Sequence, residues 1–147
     1  MTAPEQHDVT ACARAWQALR RAHDRVAERL SADLSDACGL SMNEFDVLLY
    51  LRARPGAEVH LTALREAVPL SQPALSRLVS RLESRGLLAR SGAEHDRRAV
   101  TVCLTPAGTA LIDRATQVHA AAVHEALTSR FTPEEQAELL RILGREE

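Results

Sequence analysis

The chain has 147 residues, enough for one domain or one domain with arms, and its 46% hydrophobic and 26% charged content is that of a globular protein. No apolar run approaches the ~20 residues that span a bilayer, and the opening MTAPEQHDVT has neither the basic nor the apolar stretch of a signal peptide. The net charge of −2 hides an asymmetry, since Ser71 to Arg98 carries +3 and the remainder −5, with all 18 basic residues being arginine.

Every cation is therefore a planar fork suited to phosphate and base edges. Cys12, Cys38 and Cys103 are odd in number and far apart, without the spacing of a disulfide framework or a zinc pattern. The cytoplasm is the expected location, with no membrane partner.

The first predicted helix runs from about Val9 to Ala37. Cys12, Trp16, Leu19, His23, Val26 and Leu30 follow one another at steps of 4, 3, 4, 3 and 4, a period near 3.5 that packs one helix against another. Gly39 closes it. Ser41-Met-Asn-Glu44 is a capping box and opens a second helix with Phe45, Leu48, Leu49 and Leu51 as its apolar residues. Pro55-Gly56 ends that helix in a turn. Glu58 to Leu61 reads as a short extended piece, followed by a brief helix from Thr62 to Val68.

Ser71 is an N-cap with Pro73 in the first turn of the next helix. Leu75, Leu78, Val79 and Leu82 make its apolar face. The opposite face carries Ser76, Arg77, Ser80, Arg81, Ser84 and Arg85, with Glu83 as its single acid. Serine is a mediocre helix former, so small hydroxyls between arginines suit a face that something must approach closely. Gly86 stops the helix. The period then changes to two: Val100, Val102 and Leu104 alternate with Thr101 and Cys103, and Leu87 to Arg90 is the partner strand. The loop SGAEHDRR between them has a charged tip. Thr105-Pro106 caps a long helix to about Arg130, and Thr132-Pro133-Glu134-Glu135 opens a final one with Leu139, Leu140 and Leu143 as its apolar face.

Helix, short helix, helix and two-stranded hairpin make a winged helix-turn-helix. A helix that enters the major groove needs an apolar back and a slim polar front. Serines let the backbone approach, Gln72 offers an amide fork, and arginines reach guanine edges or phosphates. The basic hairpin tip suits an adjacent minor groove. The fold class expected is mainly α with a small β-hairpin wing. Residues 41–104 form the winged unit, 1–38 an N-terminal dimerisation helix and 105–147 C-terminal dimerisation helices.

Asp96-Arg-Arg-Ala-Val-Thr-Val-Cys-Leu-Thr105, followed by Pro-Ala-Gly108, matches D-x-R-x-x-x-V-x-L-T-x-x-G. With LSQPALSRLVSRLESRGLL before it, the chain resembles the MarR family (multiple-antibiotic-resistance regulators) over nearly its whole length. The resemblance implies a homodimeric repressor on a pseudo-palindromic double-stranded DNA operator. Ser71, Gln72, Ser76 and Arg77 fall where the family reads bases. Arg98 falls where a wing arginine enters the minor groove, and Asp96 where a carboxylate orients it. Ser80, Arg81 and Arg97 are candidates for phosphate contacts. The family also implies a small phenolic or lipophilic effector. Trp16, Met42, Phe45 and Tyr50 are candidates to line its pocket, and each equally fits a place in the core or an interface.

Four other classes stand against this reading. No G-x-S-x-G, Walker loop, H-E-x-x-H or paired Gly-rich fingerprint occurs, so no enzyme and no cofactor are expected. A metal site is not expected either, because His119 and His124 are five residues apart, wrong for ligands on one helical face. Cys12 on the first helix leaves open a cysteine-based redox regulator, although it lies near the helix start, and neither Cys38 nor Cys103 has an electropositive activator nearby in sequence. A winged-helix protein-interaction adaptor is the remaining alternative, and the hairpin arginines argue against it.

Overall fold

The computed structural model describes residues 6–92 and 100–144, with the side chains of residues 6–8 outside that description. The elements run α1 (Gln6–Cys38), α2 (Met42–Arg52), β1 (Val59–His60), α3 (Leu61–Ala67), α4 (Gln72–Ser84), β2 (Leu88–Ser91), β3 (Thr101–Leu104), α5 (Pro106–Thr128) and α6 (Pro133–Leu143). The chain divides into two compact units. One spans Asp33–Ala121, and the other joins the residues up to Ala32 with those from Ala122 on.

In the Asp33–Ala121 unit, the Ser41 hydroxyl accepts from the Glu44 amide at 3.3 Å. The Glu44 carboxylate accepts from the Ser41 amide at 2.9 Å, completing the capping box that the sequence predicts. The helix it starts buries Glu44, Phe45, Val47, Leu48 and Leu51. Apolar burial on several sides marks a helix wrapped by others. Leu34, Leu64, Leu82, Val79, Val102 and Ile112 are fully enclosed around it.

Pro69 forces the preceding residue out of the helical region, and Val68 lies at φ −121°, ψ 141°. The short link to α4 follows. There the Ser71 hydroxyl accepts from the Ala74 amide at 3.4 Å. Leu75, Leu78, Val79 and Leu82 face the core, as their spacing predicts. At the other end Gly86 takes φ +71°. Its amide donates to the Glu83 carbonyl at 2.8 Å and the Leu87 amide to the Leu82 carbonyl at 3.0 Å, the paired bonds of a Schellman stop.

The expected two-stranded hairpin is part of a three-stranded antiparallel sheet in the order β1-β3-β2. Val59 pairs with Val102 and His60 with Thr101, and Ser91 pairs with Thr101 on the other side. This changes the burial of β3. In place of clean alternation, adjacent Thr101 and Val102 are both buried, while Cys103 and Leu104 are half-covered. A strand flanked on both sides buries its polar rung only if the hydroxyl is satisfied, and Thr101 donates to Glu58 at 3.1 Å.

The Leu-Thr-x-x-Gly end of the wing motif has a mechanical reading. The Thr105 hydroxyl donates to the Gly86 carbonyl at 2.6 Å and accepts from the Gly108 amide at 3.0 Å. The start of α5 is thus stitched to the turn after α4. A Cβ at Gly108 would stand 2.0 Å from the Leu87 carbonyl oxygen. Glycine is needed there for the close approach of backbone to backbone.

In the second unit Thr132 and Glu135 form the capping box of α6, and Arg29 pairs with Glu125 at 3.1 Å. Leu30 and Ala122 are buried there, while Val9, Trp16, Leu19, Leu140, Ile142 and Leu143 are exposed.

Candidate nucleic-acid interface

The polar face of α4 is open. Gln72, Ser76, Arg77, Ser80 and Arg81 are all exposed, as is Ser71 at the N-cap. Ser71 has a structural task as well, since its hydroxyl caps the helix. The arginines differ in their surroundings. The Arg81 Nε lies 3.8 Å from Glu44 Oε1 and the Arg85 Nη1 lies 3.5 Å from the same oxygen. Arg85 also donates to the Gly39 carbonyl at 3.1 Å. Arg77 has no ion pair or hydrogen bond among the described residues, which leaves its whole donor fork available.

Beside Arg77 lies a concavity of about 650 Å³ between α3, α4 and β2. Gln72, Pro73, Ser76 and Arg77 form one wall, Leu61, Thr62 and Arg65 another, and Arg90 and Val100 the third. Three guanidiniums thus border one hollow that also presents an amide and two hydroxyls. Arg90 is fixed in place, donating to the Ser80 hydroxyl at 3.2 Å and standing 3.4 Å from Glu83. A rim of planar cations around slim polar side chains can accept phosphate oxygens and base edges together.

Sequence reasoning missed Thr62, Arg65 and the wall role of Arg90. The signal for Arg65 was present: an arginine on the short helix just before the connection into α4. The basic stretch was counted from Ser71 and so excluded it. Asp96, Arg97 and Arg98 lie outside the described residues. The base of their hairpin is described, and there the Ser91 hydroxyl donates to Glu58 at 3.0 Å and lies 2.8 Å from the Thr101 hydroxyl.

The four effector-pocket candidates divide between the units. Trp16, 63% exposed, belongs to the unit with the N-terminal helix. Met42, Phe45 and Tyr50 belong to Asp33–Ala121 and pack in or against its core. Phe45 stacks on His119 with ring centres 4.9 Å apart. Burial pushes the neighbouring Asp46 carboxyl above the usual carboxylate range, and His119 works against that shift. The Arg54 guanidinium sits 3.7 Å from the Tyr50 ring centre. Cys12 is exposed, Cys103 half-covered, and Cys38 buried in the core. No His, Cys, Asp and Glu cluster able to hold a metal ion occurs among the described residues, and no described helix is long and apolar enough to cross a membrane.

A sequence model of the MarR family matches residues 38–99. PecS of Dickeya dadantii, an HTH-type transcriptional regulator, is 38% identical over 110 residues, which cover 74% of this chain and 65% of PecS. The chain thus spans just under two thirds of that relative. BpsR of Bordetella bronchiseptica superposes with a TM-score of 0.72 at 27% identity, over 90% of this chain and 98% of BpsR. That structure concerns the regulation of BpsR's DNA binding by 6-hydroxynicotinic acid. A mutant of Escherichia coli MarR complexed with operator DNA superposes with a TM-score of 0.70 at 26% identity, over 88% of this chain and 90% of MarR.

Proposed function

The chain belongs to the MarR family, and on that premise we propose that it is a sequence-specific DNA-binding transcriptional regulator. In this reading it acts in the cytoplasm as a homodimeric repressor that a small aromatic molecule releases. The observation that carries the DNA reading is Arg77, without an ion pair or hydrogen bond among the described residues, on an open Ser/Gln/Arg face beside a hollow that Arg65 and Arg90 complete.

Helix α4 enters the major groove, and Ser71, Gln72, Ser76 and Arg77 meet base edges. Ser80, Arg81 and Arg97 meet phosphates, and Arg65 and Arg90 join them from the walls of the hollow. Arg98 reads the minor groove through charge, with Asp96 orienting its guanidinium. The homodimer is supported by the exposed Trp16, Leu19, Leu140 and Leu143. Faces of this kind are covered in an obligate interface, which typically buries more than ~2,000 Å². Release by a small aromatic molecule is supported by the likeness to BpsR, whose DNA binding is regulated by 6-hydroxynicotinic acid.

The test is selection of sites from a pool of random duplex DNA. A pseudo-palindrome with half-sites one helical turn apart is expected. Inserting ~5 bp at its centre turns the half-sites to opposite faces of the duplex and should abolish tight binding. A selection that returns no preferred sequence, or affinity unchanged by the insertion, would overturn the reading. A panel of small aromatic acids and phenols, added to the bound complex, tests release.

A further inference from the structure

We propose that Glu58 is a positioning residue for DNA recognition, fixing the outer rung of the three-stranded sheet from which the arginine-bearing wing tip departs. The inference rests on the role given to Arg98 above. Ser91 is the last residue of β2 and Thr101 the first of β3, so they form the final pair before the tip. His60 pairs with Thr101 from the other edge. Glu58 precedes β1 by one residue, and its carboxylate spans the rung: Oε1 accepts from Ser91 at 3.0 Å and Oε2 from Thr101 at 3.1 Å.

The two hydroxyls are 2.8 Å apart. Two hydroxyl protons are shared among three close contacts, and a carboxylate, an acceptor alone, can take both at once. One side chain thereby ties the ends of all three strands. Thr101 is buried, so losing Glu58 takes one of its two partners in a covered place and leaves its hydroxyl to bond with Ser91, cutting the tie to β1. Nine residues, 92–100, connect the two tied positions, and Asp96, Arg97 and Arg98 are among them. A two-stranded ribbon twists freely, and a third strand cross-linked at its last rung restrains the direction in which the chain leaves. That direction decides whether Arg98 meets the groove beside the site that α4 occupies.

Glu58→Gln and Glu58→Ala separate this role from the effect of charge. Glutamine can complete the ring, accepting from one hydroxyl and donating to the other, whereas alanine cannot. The probe is the duplex that the wild-type protein selects from the random pool, synthesised with A·T-rich or with G·C-rich flanks. Glu58→Ala is expected to reduce the ratio of the two affinities by about threefold to tenfold, leaving central base preferences intact. Glu58→Gln should keep the ratio within about twofold. Added to Arg98→Ala, Glu58→Ala should cost nothing further.

An unchanged ratio in folded Glu58→Ala would overturn the inference, as would losses additive to those of Arg98→Ala. Equal tightening by both Glu58 variants would make Glu58 a repulsive charge only, which also overturns it. If Glu58→Ala fails to fold, Ser91→Ala removes one leg of the ring at an exposed position and must lower the ratio in the same direction. If Arg98→Ala itself leaves the ratio untouched, the minor-groove reading falls and the inference with it. If Arg98→Ala lowers the ratio while Glu58→Ala does not, only the inference falls.

Discussion

The two units handle apolar surface in opposite ways. Asp33–Ala121 encloses most of its leucines and valines in a single cluster from Leu34 to Ala115, with Leu49 left exposed. In the other unit, Trp16 is 63% and Leu140 75% exposed, and only Leu30 and Ala122 are buried among its described residues. Amphipathic helices build both. A helix with neighbours on several sides, such as α2, completes its own burial, whereas a helix with an apolar stripe and too few neighbours presents an interface. In the proposed homodimer these exposed faces supply the interface.

The contrast can be broken first by emptying the core. Leu82 is fully enclosed, and Leu82→Ala should lose about 2–5 kcal/mol of folding stability, since the cavity adds to the lost transfer energy. Urea denaturation measures it, and a loss no larger than that of a surface change would mean the cluster is not tightly packed. Charging the open faces should do the reverse. Trp16→Asp with Leu140→Asp should weaken self-association by about 2 kcal/mol or more while the core unit keeps its unfolding transition. Sedimentation across a concentration series reads the first effect, and a wild-type protein that stays monomeric at micromolar concentration would refute the dimer.

Within the core unit the comparison narrows to two arginines. Arg77→Ala should lose ~1–3 kcal/mol at particular base pairs and relax the preference there. Arg98→Ala should blunt the preference for A·T-rich flanks, and Asp96→Ala should mimic it in part because the charge remains while its orientation is lost. Titration against selected and scrambled duplexes over several salt concentrations distinguishes these outcomes. Equal, sequence-independent losses would reduce both arginines to phosphate anchors. The smallest effect is expected at Arg52, whose pair with Asp113 at 2.7 Å is solvent-exposed. Arg52→Ala should leave the thermal midpoint unchanged, because such pairs are offset by solvation and side-chain entropy.

Local signals were the legible ones. Ser41-x-x-Glu44, Ser71 with Pro73, and Thr132-x-x-Glu135 announced three helix starts at the positions observed, because a cap is satisfied within four residues. The alternation Val100 to Leu104 revealed a strand but misjudged its burial. β1 has two residues and pairs with positions some forty residues away, and no local pattern reports such a contact. For the same reason the concavity was invisible, since Arg65, Arg77 and Arg90 converge only once α3, α4 and β2 are packed. Glu44 was legible as a cap, whereas its approach to Arg81 and Arg85 is tertiary. The polar face of α4 could be read ahead of the fold because its period separates it from the core.

That carboxylate has a consequence for how binding responds to ionic strength. Each phosphate neutralised by a protein cation releases condensed counterions, and affinity then falls with a logarithmic salt slope of about −0.9 per phosphate. Six arginines lie between Ser71 and Arg98, which would suggest a steep slope per protomer. Arg81 and Arg85 already stand against Glu44, and Arg90 against Glu83. A phosphate that approaches them meets a pair whose charge is partly cancelled, and it releases correspondingly little. The slope should therefore be shallower than the arginine count implies, so that a larger share of the affinity persists at high salt, where contacts to base edges decide what is bound.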